Sequence, residues 1–216
     1  MDPSPTLSGA TVFIVDDDDS LRRALTRVLR APGWAVESFA SAEAFLRRLP
    51  IHGVGCVLLD VNMPGLSGPD LHARLVEEDS TLPVVFLTAH GDLPTGIGAM
   101  KRGALDFLTK PVDDETLLRT LAQAMEAHAQ RGFQDRERAG ANERLARLSP
   151  REREVMELVL AGQLNKQIAD RMEISIKTVK VHRSRVMEKM EVRSVAALVH
   201  LCELAGIVPD TEAARR

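Results

Sequence analysis

Over roughly the first 128 residues, short uninterrupted apolar runs alternate with segments of helical periodicity. Residues 12–15 form a continuous apolar run that stops at four aspartates, after which Leu21, Ala24, Leu25, Val28 and Leu29 recur at i, i+3, i+4, i+7 and i+8, the stripe of one helix face. The alternation continues as 34–39 then 41–49, 56–59 then 69–77, 84–88 then 94–102, and 106–109 then 114 to about 128. Five strand and helix pairs at this spacing predict right-handed crossovers and a parallel sheet covered on both faces. The expectation is a doubly wound α/β domain whose sites form beyond the carboxyl ends of its strands. Gly96 and Gly98 fall inside the fourth helical segment, where each costs about 0.8 to 1 kcal/mol relative to Ala, so that helix is expected to be loose or short.

The pattern then changes. Residues 130–147, QRGFQDRERAGANERLAR, are charged and poor in apolar positions, and read as a largely helical linker spanning 129–148. Beyond them only helices are predicted. Ser149-Pro150 supplies an N-cap with Pro at the first helical position, Val155, Met156, Leu158 and Val159 form its buried side, and Gly162 ends it. A short helix near 166–172, a tight connection, a helix over 176–190 capped by Ser175 and a last one over 194–204 complete an all-α domain of residues 149–208. Residues 1–9 and 209–216 read as disordered tails.

Composition narrows the function classes. The 216 residues are 44% hydrophobic and 27% charged, normal for a folded soluble chain. No apolar run reaches the roughly 18 to 20 residues that a membrane helix needs, and MDPSPTLSGA has no signal-peptide pattern, so a cytoplasmic protein without a membrane partner is expected. Cys56 and Cys202 form no CxxC pair, and the six histidines show no metal-binding spacing. Aromatic content is only 3%, which argues against stacking platforms for single-stranded nucleic acid. The net charge of −3 divides into −4 over residues 1–112, −1 over 113–148 and +2 over 149–216. Residues 175–193 alone carry a surplus of +4, pointing to a polyanionic partner for one helix.

Candidate chemistry gathers at the strand ends. Asp16, Asp17, Asp18 and Asp19 follow the first strand and Asp60 the third. Helix capping accounts for Asp18 or Asp19. Asp16, Asp17 and Asp60 remain, and three carboxylates in one crevice would make a hard oxygen site suited to Mg2+. Thr88 and Lys110 end two further strands, and a hydroxyl and an ammonium beside a carboxylate are the groups that hold a phosphoryl group.

With VDDDDS, LLDVNMPGLSG, FLTAHGD and DFLTKP in this order, the chain closely resembles the flavodoxin-like receiver domains of two-component response regulators over residues 10–128. The resemblance implies that Asp60 accepts a phosphoryl group from a histidine kinase. It implies that Asp17 and Asp60 bind Mg2+ directly with the backbone carbonyl of Asn62, and that Asp16 acts through water. Thr88 and Lys110 would bind phosphoryl oxygens, Lys110-Pro111 would be cis, and Thr88 with Phe107 would form the switch. His90 and Asn62 match rim positions that affect how fast the phosphoryl group is lost. Such a domain modifies only itself, so the chain is not expected to be an enzyme.

Ile168, Ala169, Met172, Ile174 and Val179 have the spacing that packs two helices across a short turn, a helix-turn-helix candidate with 176–190 as its recognition helix. Val179, Val186 and Met190 share one face, leaving Lys177, Lys180, Val181, Ser184 and Arg185 opposite. The segment LSPREREVMELVLAGQLNKQIADRMEISIKTVKVHRSRVMEKMEVRS resembles the four-helix DNA-binding domain of NarL-type and LuxR-type regulators, and the whole chain is similar to FixJ-like response regulators. By that similarity Lys180, Val181 and Ser184 face base edges, while Asn165, Lys177, Thr178, His182, Arg183 and Arg185 meet phosphates. The implied partners are a sensor histidine kinase, double-stranded promoter DNA, a second copy of the chain on activation, and RNA polymerase. Two rivals stand beside this reading. An aspartyl-phosphate phosphohydrolase would need a second Asp two residues after Asp60, where Asn62 stands. A regulator using the receiver as a phosphorylation-independent dimerisation scaffold would not need the complete Asp, Thr and Lys set.

Overall fold

The computed structural model describes residue 7, residues 9–89 and residues 103–207. The fourth helical segment expected at 94–102, with Gly96 and Gly98, and His90 lie outside the described residues. Two compact units divide the chain, Met1–Gly132 and Phe133–Arg216.

In the first unit, strands β1 (Thr11–Val15), β2 (Ala35–Phe39), β3 (Gly55–Asp60), β4 (Val84–Thr88) and β5 (Asp106–Thr109) form one sheet. Its order is β2-β1-β3-β4-β5 and every described pairing is parallel. Alternate residues point to opposite faces, so one face packs Val12, Ile14, Leu58 and Leu87 beneath Leu25 and Leu29 of helix α1 (Asp19–Arg30) and Leu117 and Leu121 of helix α4 (Asp114–Ala146). The other packs Phe13, Val15, Val57 and Phe86 against Phe45 of α2 (Ala42–Leu46) and Leu71 and Leu75 of α3 (Gly68–Glu77). Both faces of the central strand β3 are therefore covered, and all six of its residues are buried.

Several boundaries depart from the sequence expectation, most by a single residue. Helix α2 ends at Leu46, not 49, because Pro50 disfavours the helical region for Leu49, and Leu49 and Ile51 pack into the core instead. Trp34 precedes β2 and is buried in the core. Most notably, the helix that begins at Asp114 does not stop near 128 but runs 33 residues to Ala146. No proline interrupts 114–146, and two glycines at about 1 kcal/mol each do not outweigh a run of good helix formers.

In the second unit, α5 (Pro150–Leu160), α6 (Asn165–Met172), α7 (Ile176–Lys189) and α8 (Val195–Leu204) surround one core. Ala141, Leu145 and Leu148 are buried, the two leucines in that same core, so the expected division between a linker ending at 148 and a domain beginning at 149 cuts through packed side chains. Ala141 and Leu145 lie one turn apart at the end of α4, and Leu148, two residues beyond its end, continues the i, i+4, i+7 apolar spacing.

Glu152 ties this unit together. Ser149 and Glu152 form a reciprocal capping box at the start of α5. The same Glu152 carboxylate accepts from Lys189 Nζ at 2.6 Å and from the Ser149 N–H at 2.8 Å. These contacts hold its carboxyl down at about 2, against an ordinary 4.5. A carboxyl depressed in the folded state contributes stability that is complete above its unfolded pKa and is lost as pH falls through the folded one. Protection of α5 and α7 amides from hydrogen exchange should therefore decline between pH 4.5 and about 2. Glu152→Gln should show a shallower decline across that window, from a lower plateau at neutral pH.

Candidate functional site

The strand order reverses between β1 and β3, whose crossovers leave in opposite directions, and a crevice opens beyond their carboxyl ends. Asp16 and Asp60 stand there, 1% and 6% exposed. Lys110, just after β5, reaches into the same crevice: its Nζ lies 2.6 Å from Asp60 Oδ1 and 2.9 Å from Asp16 Oδ2. The remaining oxygens are engaged by backbone, with the Asn62 N–H donating to Asp60 Oδ2 at 3.0 Å and the Asp18 N–H to Asp16 Oδ1 at 2.8 Å. Burial pushes the Asp60 carboxyl above its ordinary pKa, against the opposing hydrogen bond from Lys110. Burial also works against the Lys110 ammonium, but its hydrogen bonds to Asp60 and Asp16 outweigh this and raise its pKa. Two carboxyl groups share one ammonium.

Thr88 closes the next strand end. It is 1% exposed, its carbonyl accepts from the Lys110 N–H at 2.7 Å, and its hydroxyl donates to the Ala89 carbonyl at 3.2 Å. Phe107 pairs in register with Phe86, so the two-residue alternation places Phe107 and Thr88 on the same sheet face, where Phe107 is half-buried. The Lys110-Pro111 peptide is cis.

The three carboxylates expected to converge are not all brought together. Asp16 turns into the crevice, Asp18 turns back to cap α1 through the Ser20 and Leu21 N–H groups, and Asp17 between them is exposed. Among the described residues no three His, Cys, Asp or Glu side chains surround a common point. The set nevertheless suits a hard cation. Its donors are all oxygen, Asp17 is open to solvent, and Mg2+ takes only one or two carboxylates while keeping several waters.

Gly68 was not singled out by sequence, although it lies within LLDVNMPGLSG. Its N–H donates to the Val61 carbonyl at 3.1 Å, and a β-carbon there would collide with the Asp60 carbonyl oxygen. Gly68→Ala should cost about 1 to 3 kcal/mol through overpacking, read from urea unfolding, and should slow any chemistry at Asp60 by displacing its backbone.

In the second unit, α6 and α7 meet across a turn in which Glu173 takes a left-handed conformation, φ 56°. Val179, Val186 and Met190 are buried, while Lys177, Lys180, Val181, Ser184 and Arg185 lie on the other side of α7, all of them exposed. The remaining candidates are less open. Arg183 Nη1 donates to Asn165 Oδ1 at 2.7 Å, Thr178 and Ser175 hydroxyls lie 2.8 Å apart, and His182 turns its Nδ1 inward. Lys189 is drawn to Glu152, whereas Lys177, Lys180 and Arg185 enter no ion pair among the described residues.

Residues 12–122 match the model of the response regulator receiver domain, and residues 146–202 match that of the bacterial regulatory proteins of the luxR family. The chain is a response regulator. It is 40% identical over 199 residues to the transcriptional regulatory protein FixJ of Bradyrhizobium diazoefficiens, covering 92% of this chain and 97% of FixJ. Nodulation protein W of the same organism is 42% identical, covering 92% of this chain and 87% of that protein. Among solved structures, the response regulator StyR shares 42% identity and a TM-score of 0.84 over 90% of this response regulator and 98% of StyR. The relatives are transcriptional regulators of two-component systems, and so is this response regulator. No helix among its described residues is long and apolar enough to cross a membrane.

Proposed function

We propose that Asp60 is the phosphoryl acceptor of this regulator and that its modification shifts the chain toward a dimer that binds promoter DNA. The carrying observation is the buried Asp60–Lys110–Asp16 cluster at the β1/β3 crevice. One Asp60 carboxylate oxygen attacks phosphorus in line as the phosphorus–nitrogen bond of a kinase phosphohistidine breaks, with the electron pair leaving on the imidazole. The protein's contribution is positioning and charge. Lys110 leaves its salt bridge to Asp60 for an incoming phosphoryl oxygen, and the Thr88 hydroxyl turns from Ala89 to another. Asp17, Asp60 and the Asn62 carbonyl would hold Mg2+, with Asp16 acting through water. When bound, the ion offsets charge on the transferring group.

Modification then acts as a population shift. Thr88 and Phe107 relay it, a second copy of the chain completes the active form, and each copy offers α7 to one half-site. There Lys180, Val181 and Ser184 read base edges, and Lys177 and Arg185 meet phosphates together with Asn165, Thr178, His182 and Arg183. RNA polymerase is the downstream partner, and the setting is the cytoplasm. The receiver folds as residues 10–128 and the output domain as 149–208, with the 141–148 turns docked to the latter. The test is incubation with acetyl phosphate and MgCl2 followed by peptide mass analysis. A hydroxylamine-labile phosphoryl group on the peptide containing Asp60 supports the assignment, and a phosphoryl group found elsewhere defeats it.

A further inference from the structure

Arg22 is a basic residue in an unusual place. It lies one turn inside α1, just past the Asp18 cap, where the helix dipole disfavours a cation, and its side chain is only 13% exposed. Helical side chains lean toward the N-terminus, and this one reaches back across the cap. Its Nη1 donates to the Asp16 carbonyl at 2.7 Å and its Nη2 to Asp19 Oδ1 at 3.0 Å. One planar fork thus serves two acceptors at once, a geometry that a lysine ammonium does not reproduce.

Asp16 is consequently fixed at four points: its N–H donates to the Phe39 carbonyl at 3.2 Å, its carbonyl is held by Arg22, its Oδ1 by the Asp18 N–H and its Oδ2 by Lys110. The next residue, Asp17, is exposed, and its backbone is set by these anchors on either side. We propose that Arg22 is a positioning residue of the acidic site, holding the Asp16–Asp17 backbone so that the Asp17 carboxylate is presented to a divalent cation. This rests on the reading of Asp17 and Asp60 as the Mg2+ ligands. Arg22 acts on that pair through the Asp16 carbonyl.

Charge and position make opposite forecasts. As a plain positive charge near the site, Arg22 would oppose Mg2+, and its removal would tighten binding. As an anchor, its removal loosens a ligand and weakens binding.

Isothermal titration of the full chain with MgCl2 alone, for wild type, Arg22→Met and Arg22→Lys, separates the two. Met keeps the apolar stem and loses both donors. It is expected to weaken Mg2+ binding about tenfold, the lower end of the cost of losing an outer-shell partner. Unchanged or tighter binding by Arg22→Met overturns the proposal. Should Arg22→Met fail to fold, Arg22→Lys decides, because it keeps the charge and loses the fork: weakened binding supports the anchor and wild-type binding overturns it. Absence of saturable Mg2+ binding by wild type defeats the metal-site reading and this inference with it. Wild-type binding matched by the Met variant defeats this inference alone.

Discussion

Asp60→Asn is expected to abolish phosphorylation by acetyl phosphate and by the kinase while leaving the fold intact. The amide has nearly the volume of the carboxylate but lacks the anionic oxygen that attacks phosphorus. Removing one partner of a buried ion pair ordinarily costs about 3 to 5 kcal/mol, because the other charge is stranded. Lys110 is not stranded here, since Asp16 Oδ2 remains 2.9 Å from its Nζ. The substitution also relieves the repulsion between two buried carboxylates, so urea unfolding should move by much less than that figure. Phosphorylation of Asp60→Asn at the wild-type rate would show that another residue is the acceptor. Loss of the folded state would show that Asp60 is needed chiefly for structure.

The second large effect lies on α7 and divides by the part of the DNA each side chain meets. Lys180, exposed and free of ion pairs among the described residues, can donate to guanine O6 or N7. Lys180→Ala should remove about 1 to 3 kcal/mol of discrimination at one position of each half-site. Lys177→Ala and Arg185→Ala should weaken binding to all sequences alike and reduce the salt slope by about one unit for each phosphate no longer neutralised. A dimer carries each change twice, which roughly doubles both effects. Titrations of operator and scrambled DNA at several salt concentrations distinguish the classes. Equal loss on both DNAs for Lys180→Ala would contradict its placement against base edges.

Much of this was legible in the chain because it is written in local periodicity. The apolar runs of the sheet, the stripe of α1 and the caps at Asp18, Ser149, Ser175 and Ser194 are decided within a few residues of themselves. The acidic cluster, Thr88 and Lys110 could be read as one site because parallel strands bring their carboxyl ends to one edge. Which way each of four successive aspartates turns was not legible. That depends on Lys110, ninety-four residues from Asp16, and on Arg22 reaching back over the cap.

Partners distant in sequence were not legible for the same reason. Counting charge over 175–193 gives Lys189 to the basic face, yet Glu152 in α5 draws it away. Arg183 is likewise held by Asn165 across the helix-turn-helix. The docking stripe of Ala141, Leu145 and Leu148, by contrast, was present in the sequence and masked by the charged residues between its members.

The most direct test joins the two units in one measurement: mass in solution and affinity for promoter DNA, determined before and after treatment with acetyl phosphate and MgCl2, for wild type and for Asp60→Asn. Wild type is predicted to gain both dimer and DNA affinity on treatment, and Asp60→Asn to gain neither. Wild type that binds DNA equally well and with the same mass before and after, at full phosphorylation of Asp60, would contradict the account.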